Sequence, residues 1–214
     1  RLLLATKTVP AERISIALAA GETLIAENKV QELKEKFYGL KESIHEKHFI
    51  GHLQSNKIKD LISCGVTCIQ SLDKLELAIK INQKMEALGK TMDVLIQVNT
   101  SGEDSKFGVG PEHALKLVQD VAKLRSLKIK GLMTIGLFST DIPLVRKCFV
   151  LLKQLQQEIT AAEIPGVEMK ELSMGMSGDL EVAIAEGATI VRVGTAIFGQ
   201  RIYPDSYYWN EKTA

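Results

Sequence analysis

Short apolar runs alternate with longer amphipathic stretches from one end of this chain to the other. Residues 2–6, 23–27, 48–52, 67–71, 93–99, 129–135, 168–174 and 189–194 have the length and the aliphatic, β-branched make-up of buried strands. Helical periodicity fills the intervals, predicting helices over 11–20, 30–38, 56–63, 74–88, 112–124, 142–162 and 178–186. Gly21, Gly65, Gly89 and Gly187 supply the stops expected after helices, and Pro111 supplies a good first-turn residue. Strands that alternate with helices imply a parallel sheet, and eight of them imply a closed (β/α)8 TIM barrel of the α/β class. A doubly wound open sheet fits less well, because the units are regular and no linker or low-complexity segment interrupts them. We therefore read residues 1–200 as one barrel domain and 201–214 as a short, polar and aromatic C-terminal tail. The ring then lacks a helix over the gap between strands eight and one, and a helix preceding Arg1 is expected to fill it.

Bulk composition narrows the function classes. The 214 residues are 45% hydrophobic and 25% charged, ordinary for a globular domain with a substantial core. A net charge of +1 favours neither nucleic acid nor an anionic membrane, and no segment approaches the apolar length of a membrane span. Three cysteines, Cys64, Cys68 and Cys148, are too few and of the wrong parity for a disulfide framework and fit a reducing, cytoplasmic setting. Cys64 and Cys68 have no second Cys/His pair, and the four histidines lack metal-ligand spacing, so no metal is expected. No hydrophobic seam stands out, which points to a monomer. The charged run Lys34-Glu35-Lys36 reads as solvated helix surface.

In such a barrel the chemistry gathers at the C-terminal ends of the strands. Lys7 stands there, at the end of the first apolar run and before Thr8-Val9-Pro10. Shielding at a strand mouth disfavours the ammonium form and favours a nucleophilic amine able to form a Schiff base with an aldehyde. A lysine that merely extends its charge out of a strand end is the plainer alternative. The segment Ser173-Met174-Gly175-Met176-Ser177-Gly178, with Gly194-Thr195 on the next strand, offers small residues, hydroxyls and free amides suited to a phosphate. Ser177 as a simple helix cap is the alternative there. Arg192, amid Ile190-Val191 and Val193, needs a partner: a core carboxylate, a ring nitrogen or an anionic group. Asn28 suits either a ligand contact or the cap of the next helix. Met133 lies at the sixth strand mouth, and His52 at the third carries no assigned role.

Several of these segments occur together, and in this order, in one known family. Ala5-Thr6-Lys7-Thr8, Ala26-Glu27-Asn28, Val30-Gln31-Glu32, His48-Phe49-Ile50-Gly51, Leu53-Gln54-Ser55-Asn56-Lys57, Gly131-Leu132-Met133, Leu172-Ser173-Met174-Gly175-Met176-Ser177 and Val191-Arg192-Val193-Gly194-Thr195 span nearly the whole chain. By them the sequence resembles the YggS/PROSC family of pyridoxal phosphate homeostasis proteins, whose barrel is similar to the N-terminal domain of alanine racemases. The resemblance implies pyridoxal 5'-phosphate (PLP) as cofactor and Lys7 as its Schiff-base lysine. It implies that Ser177, Gly194 and Thr195, with Ser173 close by, hold the phosphate. Arg192 would face the pyridine nitrogen, and Asn28 and Met133 would line the pocket. It implies a non-catalytic protein that buffers PLP and delivers it to PLP-dependent apoenzymes. A weakly active amino-acid racemase and a phosphosugar-binding barrel are the alternatives, and the chain ends before any second domain of the racemase kind. Lys29 stands where the family usually has tyrosine and His52 where it has proline, which alters the rim of the pocket but neither Lys7 nor the phosphate loops.

Overall fold

The computed structural model describes residues 1–103 and 105–200; the predicted tail, 201–214, lies outside them. The chain forms a closed parallel barrel whose strands follow sequence order: β1 (Leu2–Ala5), β2 (Leu24–Glu27), β3 (Glu46–Phe49), β4 (Cys68–Leu72), β5 (Met92–Gln97), β6 (Leu127–Met133), β7 (Glu171–Met176) and β8 (Ile190–Val193). Pairing of β1 with β8, Leu3 opposite Arg192, closes the ring. The helices are α1 (Ala11–Ala19), α2 (Val30–Phe37), α3 (Ile58–Ser63), α4 (Leu75–Ala87), α5 (Pro111–Val121), α6 (Ile142–Ala161), α7 (Leu180–Ala185) and a four-residue α8 (Thr195–Phe198). Asp141 starts α6 by accepting from the Leu144 amide at 3.2 Å.

Three predicted strands shift their start by two or more residues, the sixth running from Leu127 to Met133 rather than over 129–135. The third begins at Glu46 rather than residue 48, so His52 lies in the loop beyond it. The seventh begins at Glu171 rather than 168, because Glu168 turns outward to ion pairs with Lys130 and Lys170 at 2.7 and 2.9 Å. A register shift between β7 and β8 separates the pairs Ser173–Ile190 and Met176–Arg192. Gly175 falls within it, with φ 88° and no room for a side chain: a Cβ would stand 2.4 Å from that of Ala183.

The core has two layers. Between sheet and helices, strand residues such as Phe49, Ile69, Val94, Leu132 and Leu172 pack on Leu61, Ile81, Val118 and Phe149, each such burial stabilising by about 1.5–3 kcal/mol. Inside the barrel, Leu3, Leu24, Ala26 and Ile190 fill one side and Cys68, Leu95 and Met133 the other. A polar path runs between them. Ser173 on β7 donates to Gln70 Oε1 on β4 at 2.7 Å, and Gln70 Nε2 donates to His48 Nδ1 on β3 at 2.7 Å. Strands β4 and β7 are not neighbours, so the first of these bonds crosses the interior. Burial pushes His48 down to about 4, so the ring is neutral at pH 7. Its Nδ1 accepts, and its Nε2 carries the hydrogen and faces Glu46 at 3.6 Å.

Gly131 on β6 faces Glu171 on β7 so closely that a Cβ would sit 1.8 Å from the Glu171 carbonyl oxygen. Backbone cannot yield as a side-chain tip does, so Gly131→Ala is expected to destabilise by about 3 kcal/mol or more, measured by urea unfolding. His48 supplies a pH dependence. Unfolded, it titrates near its ordinary 6.5; folded, at about 4. As pH falls through that window the unfolded state takes up the proton first, so stability present above 6.5 is lost towards 4. Relative to His48→Gln, the wild-type chain should lose roughly 3 kcal/mol between those limits. Urea titrations of both proteins at several pH values check this, and parallel curves would refute it.

Candidate functional site

The barrel directs the ends of all eight strands to one mouth, and the predicted lysine is there. The chain leaves β1 through Thr6, whose hydroxyl donates to Glu27 Oε1 at 2.6 Å and Ala26 O at 3.1 Å. Lys7 follows, buried, with 6% of its surface exposed. Thr8 then turns the chain with φ 65°, a left-handed conformation that is a genuine outlier for a β-branched residue. On the neighbouring strand, burial holds the Glu27 carboxyl up at about 7 despite the Lys36 ammonium 2.7 Å away.

Asn28 comes directly after β2 and is buried. It does not cap α2: Lys29 occupies the cap position, without a side-chain bond. The Asn28 Oδ1 has no hydrogen-bond partner among the described residues. A buried acceptor left unsatisfied costs about 1–3 kcal/mol, so such atoms in native structures call for a ligand or water. Gly51, after β3, makes room for this corner, since a Cβ there would lie 1.8 Å from the Asn28 carbonyl oxygen.

Across the mouth, the predicted phosphate loops converge. The amides of Gly194 and Ala196 both point at Ser177 Oγ, each at 3.4 Å. That is longer than the usual ~2.9–3.0 Å of an N–H···O bond, so the hydroxyl leaves them unsaturated. Ser177 does not cap the next helix: α7 starts at Leu180, and Asp179 holds the loop by accepting from the Met176 amide at 2.5 Å. Thr195 begins α8 and is exposed.

Arg192 is buried inside the barrel. It donates to Ser173 Oγ at 2.9 Å and to the Thr134 carbonyl at 2.8 Å. No carboxylate pairs with it among the described residues, so the core ion pair admitted by the sequence is not what holds it. Burial lowers its pKa to about 10, with Asp179 opposing, which still leaves a cation at neutral pH.

The predicted residues separate into two depths. Lys7, Asn28, Ser177, Gly194 and Thr195 lie at the mouth. Ser173 and Met133 lie beneath it, both with 0% exposure: Ser173 between Gln70 and Arg192, and Met133 packed with Cys68 and Leu95. Ser173 thus contacts Gln70 and Arg192. His52 stacks on Phe107 at 4.2 Å between ring centroids, an aromatic rim where proline was expected. Lys34 and Glu35 are solvated as predicted, but Lys36 is not: its side chain is 11% exposed and turns in to Glu27 and Glu32. Gln70 and His48 were missed; polar residues at inward positions of apolar strands were the available signal. The three cysteines are free and buried, and no His/Cys/Asp/Glu group able to hold a metal occurs among the described residues. No described helix is long and apolar enough to cross a membrane.

A buried lysine, an unsatisfied amide oxygen, a cradle of unsaturated amides and a buried guanidinium fit a phosphorylated aromatic aldehyde. Comparison with known proteins agrees. The family model described as alanine racemase, N-terminal domain, matches residues 5–202. The pyridoxal phosphate homeostasis protein of Aquifex aeolicus is 44% identical over 203 residues, covering 95% of this chain and 88% of that protein. The structure of PipY from Synechococcus elongatus, solved with PLP bound, superposes with a TM-score of 0.85 at 32% identity, covering 93% of this chain and 92% of that one. Alanine racemase of Clostridium difficile shares the fold, with a TM-score of 0.78 at 16% identity over 96% of this chain and 53% of its own. The chain belongs to the family whose barrel is the alanine racemase N-terminal domain, on the branch of the pyridoxal phosphate homeostasis proteins.

Proposed function

We propose that this chain binds pyridoxal 5'-phosphate on Lys7, stores it as a Schiff base, and releases it to PLP-dependent apoenzymes. The observation that carries the reading is the pairing, at one barrel mouth, of a buried lysine with the buried and unpartnered Asn28 oxygen. When bound, the cofactor supplies an aldehyde that condenses with a primary amine and releases water. The chain's residues do the rest. Burial keeps water from the Lys7 amine. The Gly194 and Ala196 amides, with the Ser177 and Thr195 hydroxyls, hold a phosphate. Asn28 Oδ1 accepts a hydrogen bond that no group among the described residues supplies.

Arg192 bears on storage versus turnover. Its guanidinium is cationic at neutral pH and has no acceptor lone pair, so towards a ring nitrogen it acts only as a donor. A nitrogen that accepts from it stays unprotonated, and an unprotonated pyridine is a weak electron sink for carbanion chemistry. We therefore read the protein as a carrier, not an enzyme, and as a monomer. Its three free, buried cysteines suit a reducing compartment, the cytoplasm. The racemase fold keeps weak amino-acid racemisation as the second reading.

Absorbance of the protein incubated with PLP, before and after borohydride, followed by peptide mapping, tests the proposal. The expected result is an imine band that borohydride abolishes, with one pyridoxyl adduct on the peptide carrying Lys7 and none in Lys7→Ala. An unmodified Lys7 peptide would sink the reading. Racemisation of alanine above about 1 s⁻¹, the low end for enzymes, would transfer support to the catalytic alternative.

A further inference from the structure

The residues around Lys7 are held from outside the barrel. Lys36 on α2 donates from Nζ to the Thr6 carbonyl at 2.8 Å, and Glu32, one helical turn earlier, accepts from the Thr8 amide through Oε2 at 2.6 Å. The two side chains pair with each other at 2.7 Å, and Lys36 also binds Glu27 Oε1 at 2.7 Å. The backbone is thus gripped on both sides of Lys7 by one helix. These charges are largely taken out of water, with side-chain exposures of 11% for Lys36, 2% for Glu27 and 18% for Glu32.

Thr8 gives the grip a purpose. Its φ of 65° is unfavourable for threonine and persists only when the surroundings impose it. Released, Thr8 would return to negative φ. The peptide between Lys7 and Thr8 would rotate, and the lysine side chain would leave the mouth. Surface ion pairs seldom hold a backbone in a strained state, because water screens them. The buried Lys36–Glu27 contact, with Glu32 bridging to the Thr8 amide, is screened far less.

We propose that Lys36 and Glu32 are positioning residues for Lys7. By clamping the Thr6 carbonyl and the Thr8 amide they hold a strained turn that aims the Lys7 amine into the barrel mouth. The proposal rests on the reading of Lys7 as the PLP lysine.

The test uses the full chain and the variants Glu32→Ala, Lys36→Met, Lys36→Arg and the double variant Glu32→Ala/Thr8→Gly. Schiff-base formation is followed by absorbance, and amide hydrogen exchange at Thr8 is measured without cofactor. Glu32→Ala and Lys36→Met should each lower the Schiff-base equilibrium constant roughly tenfold, the population equivalent of the strain at one such residue. Thr8 amide exchange should quicken by a similar factor in Glu32→Ala. Lys36→Arg should recover part of the loss. Adding Thr8→Gly should restore most of the Schiff base, since glycine reaches φ 65° without strain, while leaving exchange fast. General loosening of the fold would not be rescued by a glycine. If Lys36→Met fails to fold because Glu27 is left unpaired, the partly exposed Glu32 carries the test. Wild-type protein that forms the Schiff base while folded variants match it within about twofold overturns the proposal alone. Wild-type protein that forms none overturns the reading of function and this role with it.

Discussion

Closure of β1 onto β8 is the constraint on which the site depends. The register that sets Leu3 beside Arg192 also fixes how far β1 runs before it releases Thr6 and Lys7, and how far β8 runs before Gly194 and Thr195. Lysine and cradle therefore come from adjacent strands although they lie nearly the whole chain apart. Sequence distance is converted to proximity by hydrogen bonds between backbones, which do not depend on side-chain identity. The rim can consequently vary, as the His52–Phe107 stack does, without displacing the groups beneath it.

The two ends of the barrel differ in how their polar groups are satisfied. At the N-terminal end the charges answer one another: Arg1 pairs with Glu46 at 2.7 Å, Lys130 with Glu168 at 2.7 Å, and Thr189 donates to Glu171 at 2.5 Å. At the mouth, Asn28 Oδ1 has no partner among the described residues, and the Gly194 and Ala196 amides make only long contacts. Between the ends, donors point in one direction: Arg192 to Ser173, Ser173 to Gln70, Gln70 to His48. Each acceptor in that line is fixed by the donor it must itself present, so a neutral His48 tautomer sets the orientation of Gln70 and, through Ser173, of the guanidinium. A proton taken up at His48 Nδ1 would remove the acceptor for Gln70 and so disturb the line that ends at Arg192.

Much of this was legible in the sequence, for identifiable reasons. The eight strands show because both faces of a parallel sheet are buried, which leaves continuous apolar runs such as Val94-Leu95-Ile96. Lys7 shows because it breaks such a run. The short strands were harder to bound: β3, with only Glu46–Phe49, carries Lys47 and His48 and has little apolar signature of its own. Lys36 was hidden because its neighbours Lys34 and Glu35 are solvated and helical periodicity does not reveal which charge folds back on the sheet. The path through Gln70 was hidden because nothing local says that β4 and β7 face each other across the interior.

Arg192 then separates what this barrel holds from what it does. A catalytic site must strengthen charge stabilisation as the reaction proceeds. Here the buried cation is already engaged by Ser173 and the Thr134 carbonyl, with Asp179 the carboxylate that acts on it from a distance. A guanidinium so placed does not give up its proton, and among the described residues no carboxylate is hydrogen-bonded to it. What remains is a lysine in a shielded mouth, an oxygen waiting for a donor and amides waiting for an anion. On the proposed reading, those groups serve a bound state more than a transition state, which is what a carrier requires.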